Sequence, residues 1–103
     1  MHWNLLFQVS KKEWIDRVKE HPNALRFAPK QTDAIVKAAL NANPNVLCLV
    51  KEQTEDLCLY AIEHDPHTLA YVRNQTERIV KKALSINVDT KYYVDQKLQY
   101  LVE

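Results

Sequence analysis

The amino-acid sequence predicts an all-α fold: a small α-solenoid of helix-turn-helix repeats of about 22 residues, with a truncated half-repeat at each end. Three observations lead there. Pro22, Pro44 and Pro66 are spaced by 22 residues (44−22 and 66−44), and Thr32, Thr54 and Thr76 keep the same interval. The apolar residues Ile35, Val36, Ala39 and Leu40 recur as Leu57, Cys58, Ala61 and Ile62 and again as Ile79, Val80, Ala83 and Leu84; spacings of one, three and four residues describe a helical stripe, not strand alternation. Asn43-Pro44 and Asp65-Pro66 stop one helix and start another, because proline cannot continue a helix but suits its first position. The 103 residues therefore read as one domain, 1–103, made of a half-repeat 1–9, repeats 10–31, 32–53, 54–75 and 76–97, and a half-repeat 98–103.

Each element has a local reason. Trp3-Asn4-Leu5-Leu6 falls in register with Leu25-Arg26-Phe27-Ala28 and Leu47-Cys48-Leu49-Val50, so the N-terminus reads as the back half of a repeat, without the features of a signal peptide. Ser10-Lys11-Lys12-Glu13 has the capping-box arrangement and opens a helix from about 11 to 20, with Trp14, Ile15 and Val18 on its apolar side. Thr32, Thr54 and Thr76 each precede an acidic residue, which supplies both an oxygen for a free amide and negative charge at the positive end of the helix. The second element of each repeat is short, and its apolar residues are Leu25, Phe27 and Ala28, then Leu47, Leu49 and Val50, then Leu69, Tyr71 and Val72. Such a helix is too short to be stable alone and needs its stacked neighbours. A leucine-rich horseshoe is the competing architecture, since Leu47-Cys48-Leu49 alternates and the period lies in its range; the missing Asn or Cys after that stretch and the Pro and Thr-acidic starts favour helices. In the fourth repeat Val88 replaces proline, Lys91 replaces a core leucine and Leu98 stands in the threonine column, so the chain is expected to stop one turn into a fifth first helix.

The strings Val50-Lys51-Glu52-Gln53-Thr54-Glu55-Asp56-Leu57-Cys58-Leu59 and Val72-Arg73-Asn74-Gln75-Thr76-Glu77-Arg78-Ile79 resemble a family of short tandem helical repeats of unknown function found in giant-virus, phage and some bacterial proteins. The resemblance covers nearly the whole chain. It implies the α-solenoid class and a viral or phage origin, and it carries over no catalytic residues. Pro29 and the degraded fourth copy depart from the pattern.

Composition narrows the function. A formal net charge of +1 gives no general pull towards nucleic acid, anionic membrane or acidic partners. No segment approaches the roughly 20 apolar residues that span a bilayer. Two cysteines, Cys48 and Cys58, are too few for a disulfide scaffold and read as reduced thiols of a cytoplasmic protein. With 0 glycines, phosphate-cradling loops, dinucleotide fingerprints and the nucleophile elbow of hydrolases all lose the residue they require. The chain is accordingly read as no enzyme, with no catalytic residues and no cofactor.

Several groups invite a functional reading beside a structural one. Gln31, Gln53 and Gln75 either grip an extended peptide or satisfy backbone in the turns. Cys58, His64 and His67 offer only three groups, with Cys58 on a core column, so no metal site is expected. Lys37, Lys81 and Lys82 are possible phosphate contacts, set against Glu55, Asp56, Glu63 and Asp65, which cancel the stripe. Leu59 and Tyr60 stand where other repeats put charge or a methyl, and Tyr92 is a second such exception; they either anchor a protein partner or, for Leu59, pack on a neighbouring repeat. Trp3 and Phe7 at one end and Tyr100 and Leu101 at the other are candidates for self-association as a homodimer. The reading that results is a protein-binding module, expected in the host cytoplasm if viral and blocking a host factor such as a defence or nuclease complex. Nucleic-acid binding is the alternative.

Overall fold

The computed structural model describes residues 9–102. Among the described residues four α-helices alternate with five 3-10 helices: α1 Lys11–Glu20, η1 Pro22–Phe27, α2 Asp33–Ala42, η2 Pro44–Leu49, α3 Glu55–His64, η3 Pro66–Tyr71, α4 Glu77–Ile86, η4 Val88–Tyr93 and η5 Gln96–Leu101. The α-helices start at 11, 33, 55 and 77 and the first four 3-10 helices at 22, 44, 66 and 88, so every repeat holds the same interval of 22. There is no strand among the described residues, which removes the horseshoe.

The α-helices stack on one another in one layer, the 3-10 helices in a second, and the core lies between them. The result is elongated, 55 × 21 × 17 Å, with a radius of gyration of 15.2 Å. A compact domain of about 100 residues has about 13 Å. This is a small helical-repeat solenoid.

Helix starts follow the expected caps. Ser10, Thr32, Thr54 and Thr76 all have extended backbone, and each side-chain oxygen accepts the amide three residues on. Helix ends are equally regular. Asn43, Asp65 and Asn87 each donate their backbone N–H to the last α-helical turn, and each side-chain oxygen accepts the amide two residues ahead, in the first turn of the following 3-10 helix. Position 87 keeps this double role although Val88 has replaced proline. His21 makes no side-chain cap.

The second element is a 3-10 helix of six residues, and that changes which side chains it buries. With three residues per turn, positions i and i+3 eclipse. Leu25 with Ala28, Leu47 with Val50 and Leu69 with Val72 therefore share the inner side and are buried. Phe27 and Tyr71, counted as apolar-side residues in the sequence, are instead exposed, as is Tyr93 in the same column, and Leu49 is half-buried.

The C-terminus also differs from expectation. The last described element is the 3-10 helix η5, beginning at Gln96, where a fifth α-helix beyond Leu98 was expected. Leu98 has no hydroxyl with which to cap a helix, and Asp95 makes no side-chain cap either, so nothing nucleates an α-helical turn. Leu98 is buried, and Leu101 and Val102 pack half-buried on the core, so this end folds back on α4.

Candidate interaction surface

The glutamines of the threonine turns join the 3-10 layer. Each Nε2 donates to the carbonyl six residues back and to another eighteen ahead: Gln31 to Leu25 and Leu49, Gln53 to Leu47 and Tyr71, Gln75 to Leu69 and Tyr93, at 2.8–3.3 Å. Each Oε1 accepts the backbone N–H twenty residues ahead, from Lys51, Arg73 and Asp95, at 2.8–2.9 Å. Both amide hydrogens are thus spent on main chain, as the structural reading of these glutamines requires. Arg73 adds to the ladder by donating its guanidinium to the carbonyls of Cys48, Val50 and Lys51.

Held by this ladder, the outward side of the 3-10 layer presents one column at the repeat interval: Phe27 (62% exposed), Leu49, Tyr71 and Tyr93. Beside it stands Tyr92, 78% exposed, with the Lys91 Nζ 5.4 Å from the centre of its ring. The His67 ring meets Tyr93 edge-on at 5.9 Å, and its Nδ1 lies 3.2 Å from Asp65 Oδ1. Of the expected anchor residues, only Tyr92 belongs to this surface. Phe27, Tyr71 and Tyr93 escape a reading based on 100° per residue; a 120° step would have turned them outward.

The α layer is occupied differently. Leu59 and Tyr60 are half-buried against the core, because α2 and α4 flank α3 on both sides. Lys37 Nζ sits 5.6 Å from the Tyr60 ring centre, and the His64 ring packs on the same tyrosine at 4.6 Å. His64 bridges the Tyr60 carbonyl and Asn41 Oδ1, at 2.8 and 2.9 Å. Lys82 lies 3.8 Å from Glu63, while Lys81 is exposed without an ion pair among the described residues. Of the three lysines, Lys37 thus faces an aromatic ring and Lys82 a carboxylate.

Glu55 clasps the next repeat twice, accepting from the Thr76 hydroxyl at 2.8 Å and from Arg78 at 3.0 Å. The Thr76 hydrogen bond, then Arg78, hold its carboxyl below the ordinary 4.5. Cys58 is buried, which pushes its thiol above 9.0 against the pull of Arg73, and Cys48 is exposed. No three His, Cys, Asp or Glu side chains converge as a metal site would require, among the described residues. Tyr100 is exposed, and the nearby Glu77 carboxylate raises its phenol above 10.0. Trp3 and Phe7 lie outside the described residues. No described helix is long and apolar enough to cross a membrane.

Compared with protein-family models, with curated proteins and with solved structures, the chain matches none.

Proposed function

We propose that this chain is a non-catalytic repeat module that binds another protein through its 3-10 layer. The observation that carries the reading is the outward aromatic column of Phe27, Tyr71 and Tyr93 with Tyr92 alongside, on units whose spacing is fixed by backbone-directed hydrogen bonds. Aromatic side chains presented on a rigid support lose little conformational entropy when covered, and they are frequent anchors of interfaces. The absence of glycine removes the loops on which several enzyme classes depend. The repeat resemblance extends the proposal: a phage or viral protein in the host cytoplasm, occupying a host factor such as a defence or nuclease complex.

The test is capture from a bacterial lysate with wild type and a Tyr71→Glu/Tyr92→Glu variant, whose retained helicity is checked by circular dichroism. Wild type is expected to retain a protein that the variant releases. Background-level capture by wild type, or equal capture by both, overturns the reading. Self-association through the ends is a separate proposal, which a strictly monomeric light-scattering mass at high concentration would remove. Nucleic-acid binding through Lys37, Lys81 and Lys82 has the Glu63 carboxylate against it; a low-salt gel shift without a retarded band disposes of it.

A further inference from the structure

The Gln ladder has a gap at its first position, and the gap opens onto a pocket. Val9 stands in the column of Gln31, Gln53 and Gln75, and Pro29 stands in the column of Lys51, Arg73 and Asp95. Val9 has no amide to offer and Pro29 has no N–H to give, so both partners of the ladder contact are missing together. A pocket of about 380 Å³ lies there, lined by Val9, Lys11, Trp14, Pro29, Lys30, Thr32 and Ile35.

One repeat further on is a counterpart of about 340 Å³, and comparing the two shows what is special about the first. Gln31, Asp33, Lys51, Glu52, Thr54 and Leu57 line the second pocket in the places of Val9, Lys11, Pro29, Lys30, Thr32 and Ile35. In the places of Lys11 and Lys30 the second pocket has the carboxylates Asp33 and Glu52, which balance its own Lys51 and the shared Lys30. Between α3 and α4 the corresponding place is crossed by the Glu55–Thr76 hydrogen bond. The first pocket has two lysines and no carboxylate among its described lining residues.

Trp14 supplies the second observation. It occupies the core column of Val36, Cys58 and Val80 and is 3% exposed, yet its indole Nε1 has no hydrogen-bond partner among the described residues. In the third repeat the same column holds Cys58, whose Sγ lies 3.9 Å from Gln53 Oε1. The ladder glutamine is the acceptor there. In the first repeat that acceptor is Val9, which has none. Leaving a buried N–H unpaired is unfavourable; Nε1 has less than 1 Å² of exposed surface, so an oxygen brought by a ligand takes the place of the absent glutamine by displacing the Val9 side chain.

We propose that this pocket binds a carboxylate of a partner's acidic peptide segment, one with an apolar residue beside the acidic one. The Trp14 indole N–H and the Lys11 and Lys30 ammonium groups receive the carboxylate, while Val9, Pro29 and Ile35 cover the apolar neighbour. Neither lysine forms an ion pair among the described residues. The inference deepens the protein-binding reading but uses a different surface, so each can fail alone.

The experiment follows the indole N–H resonance of Trp14 in isotope-labelled full-length protein, assigned with Trp14→Phe. A Leu-Asp-Leu peptide acetylated at its N-terminus and amidated at its C-terminus is expected to shift it saturably, with affinity at least about tenfold above that for the equally blocked Leu-Asn-Leu, as a hydrogen bond to a charged group requires. The exposed double variant Lys11→Glu/Lys30→Glu should lose the shift while keeping its circular dichroism spectrum. No shift, an equal shift with Leu-Asn-Leu, or acetate binding as tightly as the peptide overturns the proposal. So do nuclear Overhauser contacts from the free protein's Trp14 indole proton to residues 1–8, since the chain itself would then supply the acceptor.

Discussion

The two layers of this solenoid are joined by opposite strategies. In the 3-10 layer a glutamine in the same column reaches the same three main-chain groups at each of three successive steps, so η1–η2, η2–η3 and η3–η4 share one joint, to which Arg73 adds at the second step. In the α layer each step is different. Among the described residues, α1–α2 has no side-chain hydrogen bond or ion pair across it, α2–α3 has His64 on Asn41 and Lys37 over Tyr60, and α3–α4 has Glu55 and Glu63 reaching Thr76, Arg78 and Lys82. Contacts aimed at backbone survive sequence change, whereas contacts between side chains are remade at every step. The common spacing of the repeats is therefore held by the 3-10 layer and by the buried apolar columns, with the α layer free to vary.

The sharpest way to break this contrast is Gln75→Leu. Gln75 is 4% exposed, and its loss strands the Tyr93 carbonyl and the Asp95 N–H and leaves the Leu69 carbonyl with the Val72 N–H alone. Unpaired buried groups of this kind cost on the order of 2–4 kcal/mol together, which urea denaturation would read as a lower midpoint. Equal midpoints for Gln75→Leu and wild type would show that the ladder does not hold the layer. Filling the gap sharpens the contrast from the other side. Val9→Gln and Pro29→Lys, combined, should restore the missing contact and show a coupling of about 1 kcal/mol in a double-mutant cycle, where additive effects would deny it.

The recurrence of Gln31, Gln53 and Gln75 is plain in the sequence, but their destination is not. Their partners lie eighteen and twenty residues ahead, and only the stacking of repeats brings those groups near. Capping was legible for the converse reason: Thr32, Thr54 and Thr76 act on amides three residues away, within reach of purely local chemistry. The core columns of the α-helices were legible from their spacing. The outward aromatics were not, because a short apolar run does not say whether its step is 100° or 120°. Leu59 and Tyr60 stood out as pattern breaks, and they are, but flanking helices cover them. Nothing in residue type alone distinguishes a side chain packed sideways from one left free. The pocket at Trp14 was latent in Val9 and Pro29, two departures that gain meaning only once the ladder is known.

Smaller effects probe the α layer. Because Glu55 is held below its ordinary value, its contribution is complete above pH 4.5 and is lost as pH falls through the depressed folded value. The stability gap between wild type and Glu55→Gln should accordingly stay constant above that pH, close below it, and shrink in high salt, as expected of an exposed pair. A gap that widens on acidification would contradict the assignment. The smallest effect concerns the thiols: a soluble thiol reagent should modify Cys48 at once and Cys58 only at the rate of unfolding. Two equally fast thiols would mean that the column of Cys58 opens readily.

A ladder that addresses only amides and carbonyls is indifferent to which side chains stand on either side of it. Whole modules can in consequence be duplicated, deleted or reordered by splicing at the threonine turn, without any compensating substitution in the adjoining copy. Lengthening such a protein is then an event of gene recombination alone, and the exposed faces are left to diversify afterwards.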